Sequence, residues 1–310
     1  MSIETTSSKS SAYKYNARAL RRLSLSDRLP DWFFEEFNLN RKNLHRQIDE
    51  LTQATFEFQH RQDNQDFIDG KLGPGTLGVI LADQKDRGGF LYRGDALGGR
   101  ANVIQYKDPN GLDIHAVGHY TPRRFASTKP KSLVVHWGGL NPEHLYNCFS
   151  GARKVSSHAG IGLVGDEAVT YQYLDLQHKS WHAGFMNNQS IGIDICQQPS
   201  LKWGKYYTSR GYDVSIMENP IKGPVECLSL DGRILEQVGL VIEDLCIALD
   251  IPLVTLAPSA SLTKKQAESF RGVLGHHHVS SRKWDCAPWW EEIANQCNLQ
   301  FETLQDQRGS

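Results

Sequence analysis

Residues 132–137, Ser-Leu-Val-Val-His-Trp, followed by Gly138-Gly139, constrain the fold more than any other stretch. A short continuous apolar run without polar alternation suits a strand covered on both faces, as in parallel sheets. It ends in a histidine, and open α/β sheets gather their ligands at the carboxyl ends of such strands. Pro142 to Ala152 then reads as a helix, and Ile161–Val164, Ala168–Leu174 and Ile191–Cys196 read as strands. Ile234, Val238, Val241, Ile242, Leu245 and Leu249 fall on one side of an amphipathic helix that starts after Asp231 and stops before Pro252. A further helix is expected over about Lys264–Phe270. Val273-Leu274-Gly275 is a second short apolar run leading into a histidine, His276. The expectation is an α/β domain with a central mixed β-sheet flanked by helices.

Gly275 to Pro288 places His276, His277, His278, Lys283, Asp285 and Cys286 in one segment. Imidazole, carboxylate and thiolate are the protein ligands of zinc, and a catalytic zinc takes three of them with one position open. His136 is the natural distant partner of His276, since both end apolar runs. Either histidine alone has an ordinary structural role as its commoner reading. The third ligand follows from Asp285 or Cys286, and the spacing leaves both open.

At 310 residues the chain has room for one large domain and a smaller one. A formal charge of −1 gives no electrostatic case for nucleic acid or an anionic membrane surface. No apolar run approaches a membrane span. Residues 1–25 hold no apolar segment of the secretory kind, so the chain is expected to be made in the cytoplasm and delivered by other means. The cysteines at 148, 196, 227, 246, 286 and 297 form no CxxC pair and read as buried free thiols, Cys286 excepted for its neighbours.

The expected organisation is an N-terminal extension (1–40), a small all-helical module (41–88), a linker or irregular hairpin (89–130), the main domain (131–300) and a tail (301–310). In the module, Leu44, Ile48, Leu51, Thr55 and Phe58 recur at helical spacing, and Thr76 is placed to cap a second helix after a turn-rich loop. In the main domain, a loop carrying Trp203, Tyr206, Tyr207 and Tyr212 is expected either to shape substrate choice or to pack onto the helical module.

Five blocks in order carry a resemblance: Ser132–Trp137, Lys154-Val155-Ser156-Ser157-His158, Ser180-Trp181-His182-Ala183-Gly184, Asn188–Asp194, and Gly275–Pro288. Together they resemble the zinc-dependent N-acetylmuramoyl-L-alanine amidases, the superfamily that phage amidase lysozymes share with peptidoglycan recognition proteins. The resemblance implies zinc as cofactor, peptidoglycan or muropeptides as substrate, and hydrolysis of the lactyl–L-alanine amide. It implies His136 and His276 as metal ligands. The third ligand follows a lysine by two residues, which Lys283-Trp284-Asp285 satisfies, so Asp285 is favoured and Cys286 is the alternative. It makes Lys283 the oxyanion partner and Asp194, where the family has glutamate, the general base. Trp137, Trp181, His182 and Asn188 are implied at the substrate. Phe56-Glu57-Phe58-Gln59 with Asp69–Leu77 resembles the three-helix peptidoglycan-binding module of wall hydrolases, implicating Phe58, Gln59, Asp69, Gly70, Gly73 and Thr76. Both segments point to one polymer, hence to a lytic enzyme, either a phage endolysin or a secreted antibacterial effector. A non-catalytic peptidoglycan receptor is the alternative, and it would require a lost ligand. A cysteine peptidase is disfavoured, because Cys148 falls inside an expected helix.

Overall fold

The computed structural model describes residues 12–17, 29, 31–61, 71, 89–122, 129–219, 221 and 223–302. The chain divides into two compact units, residues 1–86 and 87–310. In the first, helix α1 (Ile48–Arg61) follows a 3-10 turn over Arg41–Arg46 whose N-cap, Asn40, accepts from the Lys42 amide. Of the residues at helical spacing Leu44, Leu51 and Thr55 are buried and Ile48 is half-buried, while the Phe58 side chain lies outside the described residues; Ala54 and Gln59 are buried as well. The Gln59 side chain donates to the Lys71 carbonyl at 3.4 Å. Asp69, Gly70, Gly73 and Thr76 lie outside the described residues.

The second unit is built on six strands: β1 (Val103–Ile104), β2 (Ser132–Trp137), β3 (Ala159–Val164), β4 (Glu167–Gln172), β5 (Ser190–Ile195) and β6 (Gly272–Gly275). Their order is β6-β2-β5-β3-β4-β1, parallel throughout except for the β3/β4 pair. The mixed sheet is therefore as expected. The stretch read as a linker differs, because its Val103–Ile104 supplies the edge strand beside β4. Two residues are too few to show a period.

Helix α2 (Pro142–Phe149) starts with Asn141 as N-cap, and α3 (Gly232–Leu249) starts with Asp231, whose carboxylate accepts from the Arg233 amide at 2.9 Å. The apolar stripe of α3 packs on Leu133, Val135, Ile191, Ile193 and Ile195. On the opposite face Val134 and Leu274 meet Ala183, Met186 and Phe270. The run in β2 is thus buried on both sides, and the alternation in β5 sends three isoleucines toward α3 while Ser190, Gly192 and Asp194 face the other way. Helix α4 (Lys264–Ser269) carries a Thr263/Gln266 capping box. After β6 come the single turn α5 (His276–Val279) and helix α6 (Trp290–Gln296). In the aromatic loop Tyr207 and Tyr212 belong to the core, with Trp203 and Tyr206 packed against it. Cys148 is half-buried and the other five cysteines are buried free thiols. Among the described residues no helix is long and apolar enough to cross a membrane.

Candidate active site

Sheet register puts the site together. Gly275 pairs with Val135, so His276, one step beyond β6, lies level with His136 at the end of β2. On the other side of β2, His136 pairs with Asp194. Register partners in a parallel pair project to one face, so His136 and Asp194 share the polar face of the sheet. The carboxylate of Asp194 rests against Gly138, where a β-carbon would collide with its Oδ1 and with Leu145.

The turn after α5 brings Asp285 back to the two histidines. His276 Nδ1 lies 3.0 Å from His136 Nδ1 and 2.9 Å from Asp285 Oδ2, and His136 Nδ1 lies 3.8 Å from that oxygen. The three ligand atoms fall within 4.8 Å of one another in a buried site. Among the described residues this is the one cluster of its kind. Cys286 turns the other way. Its backbone is left-handed, at φ 65°, and its side chain is fully buried in the core beneath α3. Burial, with Asp285 and Asp194 nearby, pushes its thiol well above the ordinary value, the opposite of a thiolate poised for metal.

The neighbouring histidines support this geometry. His277 Nδ1–H donates to the Asp285 carbonyl at 3.0 Å, which holds the turn that presents the carboxylate. The Gly275 amide donates to His278 Nδ1 at 3.0 Å, leaving His278 Nε2–H to donate to the Ala257 carbonyl at 3.2 Å. Both rings are buried. His182 sits across from His136, Nδ1 to Nε2 at 3.0 Å. Trp181 is half-buried with its Nε1–H on the Thr121 hydroxyl at 3.0 Å, and Asn188 is exposed at the end of a 3-10 turn. Trp137 and Trp284 meet edge to face, ring centres 4.2 Å apart, each one residue from a ligand candidate. Trp284 was not singled out from the sequence, and its position beside Asp285 is the signal that could have found it.

Electrostatics separates the two carboxylates. Burial pushes Asp194 up to about 7, helped by Asp285 and opposed by the Ser157 hydroxyl and Lys283. Burial would raise Asp285 too, but hydrogen bonds and charge from His136 and His276 hold it well below the carboxylate range. His136 is pushed down to about 4, first by burial and then by His276. Lys283 is exposed, and its charge reaches both His136 and Asp194. The arrangement offers two imidazoles and one ionised carboxylate to a cation, with a second carboxyl beside them that changes charge near neutrality.

The family description for N-acetylmuramoyl-L-alanine amidases matches residues 126–288. Similar solved structures include a mutant endolysin from Bacillus subtilis, 18% identical over 64% of this chain and 99% of that chain, with a TM-score of 0.39. The catalytic domain of XlyA is 17% identical over 63% of this chain and 99% of that one, with a TM-score of 0.37. A mutant of PlyL is 16% identical over 64% and 98%, with a TM-score of 0.37. No curated protein matches the chain. The family match spans more than half of the 310 residues and takes in His136, His182, Asp194, His276 and Asp285 together, and the chain belongs to the N-acetylmuramoyl-L-alanine amidase family.

Proposed function

We propose that this protein is a zinc-dependent amidase that cleaves the lactyl–L-alanine amide of peptidoglycan in a lytic role, as a phage endolysin or a secreted antibacterial effector. The observation that carries the reading is the convergence of His136 Nδ1, His276 Nδ1 and Asp285 Oδ2, which lie 2.9, 3.0 and 3.8 Å from one another. Two imidazoles and a carboxylate with an open fourth position are a donor set of catalytic zinc. Asp285 is preferred to Cys286 as the third ligand, since the Cys286 side chain is in the core. When bound, zinc would polarise the scissile carbonyl and acidify a water.

The chain's own residues take the remaining tasks. Asp194 accepts the proton of the attacking water at its carboxylate and returns it to the departing alanine nitrogen; a pKa near 7 suits both halves. Lys283, exposed at the rim, offers its ammonium to the oxyanion that forms at the carbonyl. Trp137, Trp181 and Asn188 contact the muramyl and peptide groups, with His182 lining the cleft beside His136.

Residues 41–88 are assigned to wall binding, with Phe58, Gln59, Asp69, Gly70, Gly73 and Thr76 forming the recognition segment, and the amidase domain is assigned to 131–300. Two wall-directed segments in one chain support a polymer substrate and delivery to the cell wall. The test is zinc content of the purified protein together with dye release from purified sacculi, before and after chelation. Stoichiometric zinc and release that stops on chelation and returns with zinc are expected. Release indifferent to chelation would overturn the zinc reading, and bound zinc with no release would overturn the enzymatic one.

A further inference from the structure

The two ring nitrogens of His136 face different partners. Nδ1 points into the ligand cluster, and Nε2 lies 3.0 Å from His182 Nδ1. His182 Nε2 in turn lies 3.2 Å from Ser190 Oγ, and the Ser190 hydroxyl donates to the Met186 carbonyl at 2.8 Å. A carbonyl only accepts, so the direction of the whole chain is set from that end. Ser190 has one proton, and it is committed to Met186. Toward His182 the hydroxyl oxygen therefore accepts, and His182 Nε2 carries the hydrogen. A neutral imidazole has one N–H, which makes His182 Nδ1 a bare acceptor. His136 Nε2 must then donate, and His136 Nδ1 is left as a lone pair.

The surrounding structure is shaped around this relay. A β-carbon on Gly192 would stand 2.6 Å from His182 Cγ and 2.7 Å from His182 Nδ1, so this glycine makes the space in which the ring lies. The Asn187 side-chain oxygen accepts from the amides of His182 and Ala183, at 3.1 and 2.6 Å, and fixes the loop that carries the ring. Ser190 and Gly192 precede Asp194 on the same face of β5, so one strand supplies the end of the relay, the space for it and the carboxyl beside the site.

We propose that His182 and Ser190 are positioning residues, which hold His136 as its Nε2–H tautomer so that Nδ1 is the atom offered to a cation. The inference rests on the reading of His136 as a metal ligand. Such outer hydrogen bonds orient a ligand ring and set its tautomer, and losing one typically costs about 10–100-fold in metal affinity.

The experiment uses the full chain. Histidine nitrogen–proton correlation spectra of the metal-free protein, assigned through His136→Gln, report the tautomer, and titration with zinc against a competing chelator reports affinity. His136 is expected as the Nε2–H form. His182→Leu, which fills space but offers no acceptor, should weaken zinc binding about 10–100-fold, and Ser190→Ala should mix the tautomers of both rings. His182→Asn sets an oxygen near the position of Nδ1 and should recover most of the affinity, which a merely space-filling role would not allow. His136 as the Nδ1–H form in the metal-free protein overturns the inference, as does zinc bound equally well by His182→Leu. If His182→Leu fails to fold, unchanged tautomers in Ser190→Ala overturn it. A native protein that binds no zinc overturns the metal reading instead, and the tautomer measurement still decides this one.

Discussion

Asp194→Asn should make the protein more stable and inactive at once. In the folded chain burial raises this carboxyl from 3.8 to about 7. A folded-state pKa above the unfolded one means that the folded protein keeps a proton the unfolded chain has released. Stability is then greatest below pH 3.8 and falls as pH rises to about 7. At about 1.4 kcal/mol per unit, a shift of roughly three units costs about 4 kcal/mol by pH 8. Asparagine has nearly the same shape and nothing to ionise. Urea unfolding of both metal-free proteins should therefore coincide near pH 4 and diverge with rising pH, the variant ending ahead by about 4 kcal/mol. Dye release by the zinc-loaded variant should fall about 10²–10⁴-fold, the usual contribution of a general base. Stability curves that run parallel from pH 4 to pH 8 would refute the argument from burial. Near-native release by the variant would refute the assignment of the base.

Three further outcomes follow from the geometry. Asp285→Ala should abolish stoichiometric zinc binding, whereas Cys286→Ser should leave zinc content intact and lower stability by about 1–3 kcal/mol, the cost of a buried hydroxyl without a partner; the reverse pattern of zinc loss would make the thiolate the ligand. His158 is fully buried, with Nε2–H on the His178 carbonyl and Nδ1 accepting from the Gly192 amide, and burial lowers it from 6.5 to about 4. Its contribution is complete above pH 6.5 and is lost as pH falls to 4, about 3 kcal/mol in all. His158→Gln should remove that acid sensitivity, and an unchanged slope of metal-free stability against pH would contradict it. Gly192→Ala should cost about 1–3 kcal/mol in urea unfolding through its clash with His182; a neutral effect would mean that the ring has room to move.

The parts of the site legible in the sequence are those set by strand periodicity. His136 ends a run buried on both faces, and the alternation of Ser190, Gly192 and Asp194 with isoleucines marks one polar face of β5. What stayed illegible is decided by turns. Three consecutive histidines look like a self-contained metal knot, but a helical turn rotates successive side chains by about 100°. His276 therefore reaches the cluster, His277 the Asp285 carbonyl and His278 the Ala257 carbonyl. The relay through His182 escaped because the ring crosses from a loop to β5, eight residues further on, and no period links the two. The choice between Asp285 and Cys286 is the sharpest case. A left-handed residue reverses which side of the chain the next group meets, and it is usually announced by glycine or asparagine. Here it is Cys286 itself, at φ 65°. The two-residue offset from Lys283 that the family resemblance supplies points to Asp285, but the turn that carries the Cys286 side chain into the core is announced by no residue type.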